Sequence, residues 1–119
     1  MSIAGIKTGW IWKNGGFIPW EDATLHVMSH VVHYGSSVFE GVRCYPTTRG
    51  PAFFRLQDHI ERLLDSARIY HMPVPHDVDE LCAASRELFS RNRMPDGYLR
   101  PLVVRGFGVM GVNPLGCPV

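Results

Sequence analysis

The apolar residues change period near Gln57, and that change limits the fold more than any other feature of the chain. From Gln57 to His71 they recur at helical spacing, with Ile60, Leu63, Leu64, Ala67, Tyr70 and His71 along one stripe, until Pro73 and Pro75 stop the run. A second helix is predicted from Asp77, with Glu80 three residues on as a variant capping box. Its apolar face reads Val78, Leu81, Cys82, Ser85, Leu88 and Phe89. The flanking segments have the spacing of strands and turns. Trp10-Ile11-Trp12 and Phe17-Ile18 enclose Lys13-Asn14-Gly15-Gly16, and Asn-Gly between apolar runs signals a hairpin. Residues 23–37 read as a loop with one helical turn. A strand at 38–45, a Thr-Thr-Arg-Gly-Pro turn and a strand at Ala52–Arg55 form a second predicted hairpin. After Pro95-Asp96-Gly97, Tyr98–Arg105 reads as a mostly buried strand. The order predicts an α+β fold, with two helices packed on one face of a largely antiparallel sheet and one domain over residues 1–119.

A chain of 119 residues can bury one core. Its net charge of +1 gives no field that would gather nucleic acid or an anionic membrane. No apolar run approaches the roughly 18 residues of a membrane span, and the opening MSIAGIKTGWIWKNGG lacks the plan of a secretory leader, so the cytoplasm is expected. Cys44, Cys82 and Cys117 are widely spaced with no CxxC, as reduced thiols would be.

Several motifs have plainer explanations than they first invite. Gly106-Phe107-Gly108-Val109-Met110-Gly111 matches GxGxxG after a strand, but no helix can open into Val112-Asn113-Pro114 and no acid follows. A tightly turned or mobile loop is expected there. His26, His30 and His33 are spaced for one side of a helix, yet no carboxylate or thiolate nearby completes a metal set, so no metal site is assigned. No cysteine is marked as activated.

The stretch HYGSSVFEGVRCY, residues 33–45, is harder to explain away. Strand geometry sends Phe39, Gly41, Arg43 and Tyr45 to one face and Glu40, Val42 and Cys44 to the other. An aromatic ring, a bare backbone and a cation therefore lie side by side. Tyr98 and Arg100 repeat the arrangement on a second strand. Arginines at a strand edge reaching water would explain both, and so would arginines waiting for an anion. Arg62 lies about 145° from the centre of its helix's apolar stripe, which suits a surface pair with Asp58 at i,i+4. Ser66 and Ile69 share its side, and an isoleucine there suggests that this face meets something.

Taken in order, His26-Val-Met-Ser-His30, His33-Tyr34-Gly35, Val38-Phe39-Glu40-Gly41-Val42-Arg43-Cys44-Tyr45, His59-Ile-Glu-Arg62-Leu63, Tyr98-Leu-Arg100-Pro101-Leu102 and Met110-Gly-Val112-Asn113-Pro114 resemble the N-terminal small domain of bacterial branched-chain amino acid aminotransferases. These are fold-type IV enzymes that use pyridoxal 5'-phosphate (PLP). The resemblance runs from Trp10 onward. It implies that Phe39, Gly41 and Arg43 face a substrate pocket, that Tyr98 contacts the substrate α-carboxylate, and that Arg100, with Tyr34 of the neighbouring subunit, holds a glutamate side-chain carboxylate. Val112 is implied to close the partner's pocket, and Arg62 to bind the cofactor phosphate. Amino acids and 2-oxo acids are the implied substrates, and a homodimer or higher homo-oligomer the implied assembly. The family also needs a lysine that holds the cofactor and moves a proton, but Lys7 and Lys13 are the only lysines and neither matches its motif. The Gly/Pro-rich close at Leu115-Gly116-Cys117-Pro118-Val119 adds to the expectation that a C-terminal cofactor domain is missing and that these residues alone are inactive. D-amino acid transaminase and aminodeoxychorismate lyase of the same fold type are rival activities, and a standalone binding domain is the non-enzymatic rival.

Overall fold

A computed structural model describes residues 9–119. Lys7 and the start of the stretch read for a leader lie outside the described residues. The first hairpin joins β1 (Trp10–Lys13) to β2 (Gly16–Pro19), with Lys13 opposite Gly16. Asn14 and Gly15 both have positive φ, 52° and 95°, as a two-residue hairpin turn requires. A helical turn, α1 (His30–Tyr34), ends at Gly35 in the left-handed region. Then come β3 (Ser37–Phe39), β4 (Val42–Thr47), β5 (Gly50–Phe53), the helices α2 (Leu56–Ile69) and α3 (Val78–Arg91), and the strands β6 (Gly97–Leu99) and β7 (Leu102–Val104).

Two of the predicted strands depart instructively from the sequence expectation. The strand predicted at 38–45 is two strands, β3 and β4, and the one predicted at 98–105 is β6 and β7. β3 pairs with β7 and β4 with β6, both antiparallel. The register runs unbroken across the gap, since Phe39 faces Leu102 and Val42 faces Leu99, with two residues between on each side. Pro101 sits in the gap and has no N–H to give the ladder. The Glu40 N–H still donates across it to the Pro101 carbonyl, at 3.1 Å. The second strand is also less buried than expected, because Tyr98, Arg100 and Leu102 are exposed while Leu99 and Val103 are buried.

The helices cover the inner face of these ladders. One buried cluster holds Val42, Cys44 and Leu99 of the strands against Leu56, Ile60, Cys82 and Phe89 of α2 and α3. A second holds Val38 and Val103 against Leu63, Ala67 and Met72. Asp77 caps α3 by accepting the Glu80 N–H at 2.8 Å. The predicted stripe of α2 stops short: Ile69 ends the helix, His71 turns to a φ of 56°, and Tyr70 and His71 are exposed. Met72 takes the buried place instead. β5 begins and ends earlier than predicted, and Arg55 is the residue before α2, left-handed at φ 56°. Asn92, just past α3, accepts the Trp10 N–H at 2.8 Å and donates to the Trp10 carbonyl at 3.0 Å, so the first hairpin docks on the helix end.

Among the described residues no helix is long and apolar enough to cross a membrane.

Candidate active site

The outer face of the broken ladder carries the residues that posed the puzzle. Phe39 ends β3, Gly41 lies in the gap and Arg43 is on β4, while opposite them Tyr98 is on β6 and Arg100 lies in the facing gap. Arg43 is opposite Tyr98 in the register. Arg100 donates from Nη2 to the Tyr98 hydroxyl at 2.9 Å, and its guanidinium lies 4.3 Å from the Phe39 ring centroid and 5.2 Å from that of Tyr98. Two rings thus hold the cation in place without neutralising it, since a ring face attracts a guanidinium but contributes no counter-charge. Among the described residues no carboxylate pairs with Arg100 or Arg43. Gly41 leaves the room that the Tyr98 ring occupies here. A Cβ at that position would run into the Tyr98 phenol, with the ring Cζ only 2.7 Å away. The arrangement is an exposed aromatic shelf with a fixed, unspent positive charge, which suits a small molecule that is apolar along one side and carries a carboxylate.

On the inner face the same alternation buries an acid. Glu40 is 6% exposed and accepts from Arg62 Nε at 2.6 Å, Arg62 Nη2 at 2.7 Å and His59 Nδ1 at 3.0 Å. The bonds from Arg62 hold its carboxyl down to about 2, with His59 adding to the effect and burial opposing it. The Asp58 partner that helical spacing alone would give Arg62 is instead bound to Arg55, Oδ2 to Nε at 2.8 Å. A helix places i and i+3 on neighbouring flanks, so His59 and Arg62 converge on one carboxylate while Asp58 turns back toward Arg55. The Arg62 side chain remains 68% exposed, and Nη1 makes no bond to Glu40. Its donor chemistry and fixed orientation therefore fit one oxygen-rich anionic group such as a phosphate.

Tyr34 and Val112 gather elsewhere, around His30. The Tyr34 ring lies 4.6 Å from that of His30, and the Val112 carbonyl is 3.1 Å from His30 Nε2. Both side chains face outward, at 51% and 73% exposure. The three histidines read for a metal are engaged separately: His26 Nδ1 accepts the Met28 N–H and its ring stacks near Phe107, while His33 lies against Tyr34. The loop carrying the GxGxxG pattern folds back on the chain, with the Gly106 N–H on the Pro118 carbonyl at 2.8 Å. Arg105, 3% exposed, pins the far end through the carbonyls of His71, Pro114 and Cys117 at 2.6 to 3.0 Å. Burial pushes the Cys44 and Cys82 thiols up, away from the thiolate a nucleophile needs.

Sequence reasoning assigned no role to Glu40, His59, His30 or Arg105. Glu40 carried a usable signal, because an acid between Val38 and Val42 on the buried face of a strand demands a cation from whatever packs there. For His30 the plain reading of a loop histidine satisfying backbone groups fits its contact with the Val112 carbonyl, and Arg105 carried no signal, since its partners are backbone carbonyls in loops.

The fold is that of the small domain of the class IV aminotransferases. The family described as Amino-transferase class IV matches residues 37–115, and the chain belongs to it. Its relatives include branched-chain-amino-acid aminotransferases. The branched-chain-amino-acid aminotransferase of Salmonella typhimurium is 52% identical over 108 residues, which cover 91% of this chain and 35% of that protein. That of Pseudomonas aeruginosa is 45% identical over all 119 residues and 38% of its own length. The crystal structure of the T.th. branched-chain amino acid aminotransferase complexed with N-(5'-phosphopyridoxyl)-L-glutamate has a TM-score of 0.90 at 47% identity, covering 95% of this chain and 38% of that one. The chain spans little more than a third of the length of these relatives.

Proposed function

We propose that these residues are the small domain of a branched-chain amino acid aminotransferase, and that they supply the substrate-facing wall of its pocket and one donor to the PLP phosphate. The observation that carries this is the uncompensated Arg100 cation, held between the Phe39 and Tyr98 rings beside the bare backbone of Gly41. An enzyme that moves an amino group between leucine, isoleucine or valine and 2-oxoglutarate must accept aliphatic and carboxylate side chains in one pocket. An aromatic wall with a cation at its edge suits both.

In this proposal Phe39 packs against the substrate side chain, Gly41 lets the substrate approach the strand, and Arg43 adds positive charge to the same face. Tyr98 orients the α-carboxylate through its hydroxyl. Arg100 pairs with the side-chain carboxylate of glutamate, helped by Tyr34 of a neighbouring subunit, and Val112 of that subunit closes the pocket. Arg62 donates to the cofactor phosphate, with Glu40 fixing the plane of its guanidinium. Bound PLP would supply the electron sink that makes loss of a substrate Cα proton possible.

A lysine must move that proton, and we read neither Lys7 nor Lys13 as that residue, since neither matches the family's lysine motif. Lys13 Nζ donates to the Thr24 carbonyl at 3.4 Å on the first hairpin, and Lys7 is outside the described residues. The lysine is assigned to a part of a longer polypeptide beyond these residues, and the cytoplasm remains the proposed location. The test compares the 119-residue chain with the longer polypeptide on leucine and 2-oxoglutarate, with D-alanine and aminodeoxychorismate as alternative substrates. The longer polypeptide should form glutamate from leucine and the shorter chain should not. Glutamate formation by the pure chain, or a preference for either alternative substrate, would overturn the proposal.

A further inference from the structure

We infer that His30 is a positioning residue, clamping the backbone of Val112 and the ring of Tyr34 so that both side chains can reach out to a neighbouring pocket. The role of that pocket rests on the function proposed above; the clamp itself rests on geometry. His30 is 6% exposed and sits on α1, too short to hold itself in place by helix formation. Its Nε2 faces the Val112 carbonyl at 3.1 Å, and its Nδ1 faces the Ser36 hydroxyl at 2.6 Å. A carbonyl has no proton to give, so Nε2–H donates to Val112, and in the neutral ring Nδ1 is then left to accept from the Ser36 hydroxyl. Both ring nitrogens are thereby used.

The backbone makes the same connection at the loop's near end. The His30 N–H donates to the Gly106 carbonyl at 3.2 Å and the Val31 N–H to the Arg105 carbonyl at 3.1 Å. α1 therefore holds the loop where it leaves β7 and again at Val112. Between those points Phe107, Val109 and Met110 are exposed, and the Cys117 thiol makes a long contact to the Val109 carbonyl, Sγ to oxygen at 3.5 Å. A residue that only filled space would be served by leucine. Two satisfied ring nitrogens and a tilted ring contact with Tyr34 do what leucine cannot.

The test uses His30→Leu, His30→Gln and Ser36→Ala. Nitrogen NMR of the wild-type 119-residue chain should show the Nε2–H tautomer of His30, with the Nδ1 resonance shifting in Ser36→Ala. In His30→Leu, amide exchange at Gly106, Leu115 and Cys117, whose N–H groups bond within the loop, should quicken about tenfold while the buried amides of α2 and α3 hold their rates. In the longer polypeptide, kcat/KM for leucine and glutamate should both fall by about three- to tenfold with cofactor retention unchanged, and His30→Gln, which can still donate to Val112, should recover part of the loss. Unchanged loop exchange, or faster exchange throughout both helices, overturns the clamp. Faster loop exchange with unchanged kinetics overturns the positioning role and leaves the clamp standing. A wild-type polypeptide inactive on leucine refutes the proposed function, and with it the neighbouring pocket, while the exchange result still decides the clamp.

Discussion

Glu40 and Arg62 divide one ion pair unequally: the acid is buried and the base is in water. The acid is therefore the member whose titration matters. A carboxyl held down to about 2 in the folded chain binds its proton more readily once unfolded. Its contribution to stability is complete above the ordinary carboxyl range near 4.5 and disappears as pH falls toward about 2. Glu40→Gln should lower stability by about 1–2 kcal/mol at neutral pH, the low end for charge-assisted bonds because the partner is solvated. Urea titrations of both proteins from pH 7 to pH 2 should show the difference closing over that window, and a constant difference would contradict the assignment. In the longer polypeptide, Arg62→Ala should release PLP on dialysis faster than wild type, by about tenfold, because the Nη1 donor left over by Glu40 and the guanidinium charge are lost from the phosphate. Equal release would remove Arg62 from the cofactor site.

At the scale of elements, what could be read from the sequence depended on whether the cause was local. Asn14-Gly15 dictated the hairpin and Asp77 the start of α3, because in each the deciding bond lies within a few residues. Asp77→Ala should accordingly lower the urea midpoint by the equivalent of about 1 kcal/mol without changing the slope, and a smaller slope would mean that α3 had frayed in the native state. The alternation that puts Phe39, Gly41 and Arg43 on one face and Glu40 on the other was equally legible. The division of each long strand in two was not, although Pro101 was in plain view. It depended on which strand would lie opposite, as did the capture of Arg62 by Glu40 across 22 residues. Helical spacing alone paired Arg62 with Asp58, and a stronger, more distant carboxylate won.

The whole molecule has a finished inner side and an unfinished outer one. Helices α2 and α3 cover the inner face of the sheets, while Phe39, Tyr98 and Leu102 remain exposed on the outer face and Tyr34, Val109, Met110 and Val112 around the His30 loop. So much exposed apolar surface suits a chain that works against other surfaces, whether substrate, neighbouring subunit or further polypeptide. The arginine at the centre of the outer face decides between a pocket wall and a surface that merely awaits covering. In the longer polypeptide, Arg100→Met roughly keeps the length of the side chain and removes its charge. If Arg100 holds the side-chain carboxylate of glutamate, that carboxylate must be desolvated without a partner, which costs several kcal/mol, while leucine never used the charge. Tyr34→Phe should act in the same direction by about 0.5–1.5 kcal/mol, the loss of one neutral hydrogen bond. Steady-state kinetics of Arg100→Met on the two substrates should show kcat/KM for glutamate falling at least about a hundredfold and that for leucine changing by less than about threefold; equal losses for both would make Arg100 a structural residue or a ligand of the α-carboxylate and contradict the proposed pocket.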